Sequence, residues 1–462
     1  MLERIFRLSE HGTTVRVELL AGLTTFLTMA YIIFLQPAIL SGNLSGEPTG
    51  MDFGAVVLAT CVSAALTTIF MGLYARYPIA LAPGMGENFV FVTLIAALAG
   101  AGVPDAWKAA LTVVLISGIL FLLATVLRIR EAILEAVSPS QRNAIAVGIG
   151  IFIAFIGLEN ARVIVGTPGT PVALNTTHSP AHIAVFFFGL FVMAMLQARH
   201  VRGAVLWGIL AGTGLALIVA RNQMALPGPA WKLWGFPTIA QHTAFRFDFA
   251  TIARQATICV PYIVIFLFMD IFDTLGTLIG VAEQAGFVKE NRLPRASRVL
   301  LVDSVGTVVG ASMGTSTVTS YIESATGVAY GGRTGLTAVA AGALFLAALV
   351  FGPLIHMIAS FEPITAPALV VVGMLMMRNV QKVQWEDFSE SIPAFLTILG
   401  IPLCYSIADG LALGFISYPI VKFLAGRGRE VRWLSYVLAL VLLAYLLLVR
   451  ANLIAALSGG RH

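Results

Sequence analysis

Two stretches decide the fold: Ile79-Ala-Leu-Ala-Pro83-Gly84-Met85-Gly86-Glu87-Asn88, and Gly314-Thr-Ser-Thr-Val-Thr-Ser320-Tyr321-Ile-Glu323. Both lie in apolar sequence, and both are poor helix. In the first, Pro83 has no N–H to donate and Gly84 and Gly86 loosen the backbone. In the second, hydroxyl and β-branched side chains disfavour a helix. Each reads as a short extended piece leading into a half-helix. Irregular backbone at membrane depth is tolerated only where it is buried in protein or lines a cavity, and half-helix N-termini present free N–H groups to a ligand. Paired interruptions seven spans apart are the sign of an inverted repeat with its site at the midplane.

Composition supports that reading. The 462 residues are 58% hydrophobic and 11% charged, with a mean hydropathy of +0.91, too little polar surface for a soluble fold. A crossing needs roughly 20 apolar residues, and Leu19–Leu40, Phe53–Tyr74, Ala109–Leu127 and Gly335–Phe351 are plain examples. The expected fold is an all-α polytopic membrane protein of about fourteen transmembrane spans in two inverted seven-span repeats, with short extended segments in broken spans 3 and 10. Ala144-Ile-Ala-Val-Gly148 followed by Asn160 is echoed by Val370-Val-Val-Gly373 followed by Asn379. Asn160–Pro180 and Arg221–Ala250 read as loops, and Tyr436–Val449 as a short extra span or an interfacial helix.

Met1–Val15 lacks the apolar core of a cleaved signal peptide. With the N-terminus inside, alternate loops collect Arg128, Arg130 and Arg142, then Lys289, Arg292, Arg295 and Arg298, then Lys422, Arg427, Arg429 and Arg432. The opposite loops hold only Lys108, Arg162, Arg221, Lys232, Arg246 and Arg254. That asymmetry predicts a cytoplasmic N-terminus in a multi-pass protein of the cell (plasma or inner) membrane. The basic loops are short and lack interleaved aromatics, which argues against nucleic acid. Cys61, Cys259 and Cys404 read as small core residues, and lone His356 as another. His178, His182 and His242 form no ligand pattern, so neither a metal nor a cofactor is expected.

Asp270, Asp273 and Glu323 are carboxylates stranded in apolar sequence. Such groups usually face a wet cavity or a partner and mark a substrate or proton path. Asp270 and Asp273, three apart on a helix, share one face. Two carboxylates so near in poorly solvated space push at least one proton affinity upward, so protonation during a transport cycle is expected. Asn88 offers both donor and acceptor, which suits a planar heterocycle whose edge alternates N–H and C=O. Phe89, Phe91, Phe268 and Tyr321 could supply stacking faces, and Gly86 and Thr317 complete the expected substrate-binding set. Asp273 has a second reading as a cap or tie, Asp303 reads first as structural, and Glu87 could point at the cavity, a neighbouring helix or the cytoplasm. Acids without a nearby Lys or Arg favour a neutral hydrogen-bonding solute with a coupling cation over an anion. The absence of HExxH and GxGD patterns argues against an intramembrane enzyme.

Ala82-Pro-Gly-Met-Gly86-x-Asn88, Phe268-Met-Asp270-Ile-Phe-Asp273-Thr-x-Gly276-Thr, and Asp303-x-x-Gly306-Thr leading to Glu323 and Gly331-Gly-Arg-Thr-Gly-Leu-Thr337 resemble the azaguanine-type purine permeases of the nucleobase–cation symporter-2 superfamily. The resemblance implies a core domain from 16–128 (spans 1–4) and 251–358 (spans 8–11), and a gate domain from 129–250 (spans 5–7) and 359–430 (spans 12–14). A hydrophobic tail, 431–462, follows. It implies that Asp270 and Glu323 bind the purine, that Asn88 sets selectivity, and that Asp273 supports function or assembly. The implied activity is proton-coupled import of adenine, guanine or hypoxanthine by movement of core against gate in a homodimer within the bilayer. A uracil, xanthine or small-anion carrier of the same fold is the alternative. Glu87 stands where the family commonly has an apolar residue, and Phe89-Val-Phe91 replaces a more usual Ala-Tyr-Phe, which leaves the preferred base open.

Overall fold

The first apolar stretch folds as two helices, α1 (Val15–Met29) and α2 (Ile32–Leu40), turning at Ala30 and Tyr31, and Pro37 within α2 has no N–H to give the Ile33 carbonyl. This computed structural model describes residues 2–42, 49–127, 137–167, 170–176, 179–226, 242–285 and 296–447. Arg128, Arg130, His178, Lys232, Lys289, Arg292 and Arg295 lie outside the described residues. Next come α3 (Phe53–Phe70), capped by the Asp52 carboxylate on the Ala55 N–H at 2.8 Å, the strand β1 (Leu81–Pro83), α4 (Met85–Gly100) and α5 (Ala106–Val126).

The chain continues through α6 (Pro139–Asn160), a hairpin β2 (Ile164–Thr167) and β3 (Thr170–Leu174), α7 (Pro180–Ala198) and α8 (Ala204–Val219). Then follow α9 (Ala256–Ala285), α10 (Ala296–Met313), β4 (Val318–Ser320), α11 (Ser324–Tyr330), α12 (Gly335–Ala348) and α13 (Gly352–Ala359). The last helices are α14 (Ala366–Met376), α15 (Phe388–Leu403), α16 (Ile407–Leu424) and α17 (Trp433–Tyr445). Among the described residues, nine helical stretches are long and apolar enough to cross a membrane, and five shorter apolar helices join them. With 30 residues, α9 is about 45 Å long and exceeds the roughly 30 Å of hydrocarbon.

Both broken spans take the expected form, an extended piece followed by a helix. The extended pieces pair antiparallel, Leu81 with Ser320, Ala82 with Thr319 and Pro83 with Val318, which is the geometry an inverted repeat requires. Close helix approach through small residues supports the rest. The helices that carry the two echo segments pack on each other, α6 against α14, and a Cβ on Gly150 would stand 2.8 Å from the Gly373 carbonyl oxygen.

Four sequence expectations are corrected. The Asn160–Pro180 segment contains the hairpin β2–β3, because Ile164, Val165, Thr170 and Val172 are strand formers on either side of a turn. Cys404, at the C-terminal end of α15, is exposed rather than core. His356 is also exposed, and packs edge-on against Phe53 with ring centroids 5.2 Å apart. The Tyr436–Val449 stretch begins earlier, as α17. Its 13 residues reach only about 20 Å, and it buries Leu438, Leu442 and Tyr445 against α16 and α9.

Candidate substrate site at the crossing of the broken spans

The β1–β4 crossing is tied by both backbone and side chains. The Gly84 N–H donates to the Thr317 carbonyl and the Tyr321 N–H to the Ala80 carbonyl, each at 3.0 Å. Thr68 receives the Leu81 N–H at 2.8 Å and donates its hydroxyl to the Leu81 carbonyl at 2.9 Å. Ser324 Oγ accepts from the Ala80 N–H at 3.0 Å. Pro83 donates nothing, but its carbonyl takes the Tyr321 hydroxyl at 2.5 Å. The strands thus find their missing partners on each other and on the Thr68 and Ser324 hydroxyls, as buried backbone must.

Around this crossing stand the acids. Asp270 is fully buried: Oδ2 accepts the Thr307 hydroxyl at 2.5 Å, while Oδ1 has no hydrogen-bond partner among the described residues. The hydroxyl of Thr317, on the backbone entering β4, is likewise buried and unpartnered. One turn beyond Asp270, Asp273 is exposed, so α9 passes from a sealed interior to an opening within three residues. Glu323, at the start of α11, is half-buried, and its Oε1 accepts the Tyr31 hydroxyl at 2.7 Å. Asp303 holds two elements together: it accepts from Thr274 on α9 and, at 2.8 Å, from Ser320 on β4. None of these acids, nor Glu87, forms an ion pair among the described residues.

Asn88 is fully buried on α4 and turned inward. Its amide donates to Gln36 Oε1, and its oxygen accepts the Ser316 hydroxyl. Gln36 completes the network by donating to Thr315 at 2.8 Å and to Ser316 at 3.1 Å. Phe89 packs edge-on against Phe152 of α6 at 5.8 Å, and Phe268 lies 6.5 Å from Phe415 of α16. Phe91 is fully buried, and Tyr321 spends its hydroxyl on Pro83. Gly86 is where α4 meets α6, since a Cβ there would stand 3.1 Å from Ile149. Glu87 is 2% exposed and folds back over Gly84.

Sequence reasoning missed Tyr31, Gln36, Thr307 and Glu18. Glu18, fully buried in the first turn of α1, accepts from the N–H groups of Arg333, Thr334 and Thr337 at 2.9, 3.3 and 3.2 Å and from the Thr337 hydroxyl at 2.5 Å. A carboxylate on the N-terminus of α12 is electrostatically favoured, and it gives the Gly331–Thr337 block a structural reason. The sequence signal for Glu18 and Gln36 was a polar residue beside or within an apolar run.

A charged cluster lies apart, outside the membrane-spanning segments. Asp387, the N-cap of α15, accepts from Ser389 and pairs with Arg427 at 2.6 Å, which lowers its carboxyl to about 2. Lys422, buried, pairs with Glu390 at 2.9 Å.

Two half-helices joined by a short antiparallel ladder, with unpaired acids beside them in an apolar helical bundle, define a membrane transporter built on broken helices. The permease family, that of the xanthine/uracil permeases in the nucleobase–cation symporter-2 group, matches residues 16–413, and the chain belongs to it. Among similar proteins, a guanine/hypoxanthine permease of Bacillus subtilis, PbuG, is 41% identical over 97% of this chain and 100% of its own length. The adenine permease AdeP of Escherichia coli is 39% identical over 98% of this chain and 97% of its own. The transmembrane domain of a cyanobacterial bicarbonate transporter, BicA, shares the fold at 14% identity, with a TM-score of 0.59 over 89% of this chain and 97% of its own.

Proposed function

We propose that this permease imports purine nucleobases (adenine, guanine or hypoxanthine) together with protons. The observation that carries the reading is the pair of buried, unpartnered atoms, Asp270 Oδ1 and Thr317 Oγ1, beside the crossing of the broken spans. Leaving such atoms unpaired is costly, and a purine edge that alternates N–H donors with C=O or ring-nitrogen acceptors satisfies an acceptor and a hydroxyl together. Glu323, reachable from the Asp273 opening, supplies a second carboxylate to the ring, with Phe89 and Phe268 flanking it. Gly86 and the α4 N-terminus approach the ring through backbone, Asn88 holds their spacing and so tunes selectivity, and Asp273 and Asp303 support the site and its protonation. The names borne by the similar permeases of Bacillus subtilis and Escherichia coli point to the same substrate class.

In this reading the core (16–128 and 251–358) moves against the gate (129–250 and 359–430) in a homodimer of the cell membrane, with the N-terminus in the cytoplasm. Protonation removes the penalty of carrying a bare charge through that movement. The test is uptake of radiolabelled hypoxanthine into proteoliposomes, competed by a panel of purines, uracil, xanthine and bicarbonate. Saturable uptake displaced by adenine, guanine or hypoxanthine is expected. Displacement by uracil, xanthine or bicarbonate alone overturns the assignment.

A further inference from the structure

Glu87 is a carboxyl group that the purine site does not use. It is the third residue of α4, 2% exposed, and its side chain folds back so that a Cβ on Gly84 would collide with Oε2 and stand 3.1 Å from Thr319. The carboxyl is thereby wedged between the start of one half-helix and the strand that leads to the other. Of the other acids around the crossing, Asp270, Asp303 and Glu323 have hydroxyl donors: Thr307 for Asp270, Thr274 and Ser320 for Asp303, Tyr31 for Glu323. Among the described residues, Glu87 has only its own backbone N–H. The titratable groups that face it are Asp270 and Asp273 on α9, Asp303 on α10 and Tyr321 after β4, with no Lys, Arg or His among them.

A bare carboxylate sealed among other acids is strongly disfavoured. The N-terminus of a 16-residue helix offsets part of that penalty. The two effects oppose each other, so the group can gain and lose a proton when small movements change its access to water. Its neighbour Gly86 meets Ile149 of α6, so movement of the core against the gate changes the surroundings of the carboxyl.

We infer that Glu87 carries the coupling proton: one proton from the outer solution binds its carboxylate, allows the crossing to close on a neutral purine, and leaves to the inner solution when the site opens there. This rests on the purine-symport reading above. Glu87 acts on coupling and not as a ligand, so its loss should separate driving force from transport.

The experiment compares wild type with Glu87→Gln in proteoliposomes, with an inward pH gradient of about one unit and the membrane potential clamped. A one-proton symporter sustains about tenfold purine accumulation under that gradient. Wild type should reach it, and Glu87→Gln should stop at about onefold while still catalysing purine counterflow at wild-type rates. Glu87→Asp, which keeps the carboxyl, should restore accumulation with a displaced pH profile. Undiminished accumulation by Glu87→Gln overturns the inference. Should Glu87→Gln not fold, Glu87→Asp with an unshifted pH profile overturns it. A wild type that carries purine without concentrating it removes proton coupling and this inference together, whereas one that carries no purine refutes the substrate reading.

Discussion

The two broken segments have the same plan and opposite chemistry. The first, from Leu81 into α4, is closed: Asn88 is fully buried and bound to Gln36 and Ser316, and Glu87 is 2% exposed. The second, from Val318 into α11, is open: Ile322 is 49% exposed and Glu323 half-buried, held by one hydroxyl from Tyr31. An inverted repeat gives two equivalent places for a ligand, and here the first half offers backbone and a sealed carboxyl while the other keeps an accessible acid side chain. Function and stability should therefore respond separately to substitution in the two segments.

The largest effect is expected at Glu323. Removing an acid that grips the substrate should lower uptake by about a hundredfold or more in Glu323→Ala. Tyr31, 3% exposed, loses the acceptor for its hydroxyl, but the half-buried space that Glu323 vacates admits water in its place, so the melting temperature in detergent should stay close to that of wild type. Normal uptake by this variant breaks the contrast outright. Asn88→Ala should do the reverse. It leaves Gln36 and Ser316 facing a buried gap, at a cost of about 1–3 kcal/mol. A lower melting temperature and poorer yield are expected, with a smaller loss of uptake per folded molecule. A fully stable Asn88→Ala that loses all purine binding would show that the Asn88 side chain is itself a ligand.

The contrast was only half legible in the sequence. Pro83, Gly84 and the run of hydroxyls after Gly314 announced both breaks, because backbone defects in an apolar span have local causes. The acids announced themselves by their charge. Which way Asn88 points depends on Gln36, 52 residues earlier, and no local pattern encodes that meeting. Tyr31 was hidden for a similar reason: its partner is 292 residues away, and a tyrosine in Met-Ala-Tyr-Ile is unremarkable until the chain has turned between Met29 and Ile32. Cys404 was misread because apolar neighbours do not tell whether a helix end faces protein or surroundings. The hairpin β2–β3 was missed because Pro, Gly and Thr mark a turn as readily as a long loop.

A finer probe of the open segment is Tyr31→Phe. This change deletes the 2.7 Å donor to Glu323 and little else. A hydrogen bond to a charged group contributes about 1.5–3 kcal/mol. If Tyr31 orients the acid for the substrate, the KM for purine uptake should rise about tenfold with little change in maximal rate. A fall in maximal rate at unchanged KM would instead place Tyr31 in the movement and not in recognition.

The smallest effect belongs far from both segments, at Asp387, and serves as the control that stability can change without touching the site. Ser389 and Arg427 hold this carboxyl down at about 2 from its usual 3.8. A depressed folded value means the interaction is fully present above pH 3.8 and is lost as the pH falls toward about 2. The side chain is 28% exposed and paired with a 42% exposed arginine, so solvent screening keeps the contribution small. Asp387→Asn should lower the melting temperature slightly at neutral pH, flatten its fall between pH 4 and 2, and leave the KM for purine unchanged. A KM shift here equal to that of Tyr31→Phe would mean that the charged cluster and the open segment are coupled, and the division between scaffold and site would have to be redrawn.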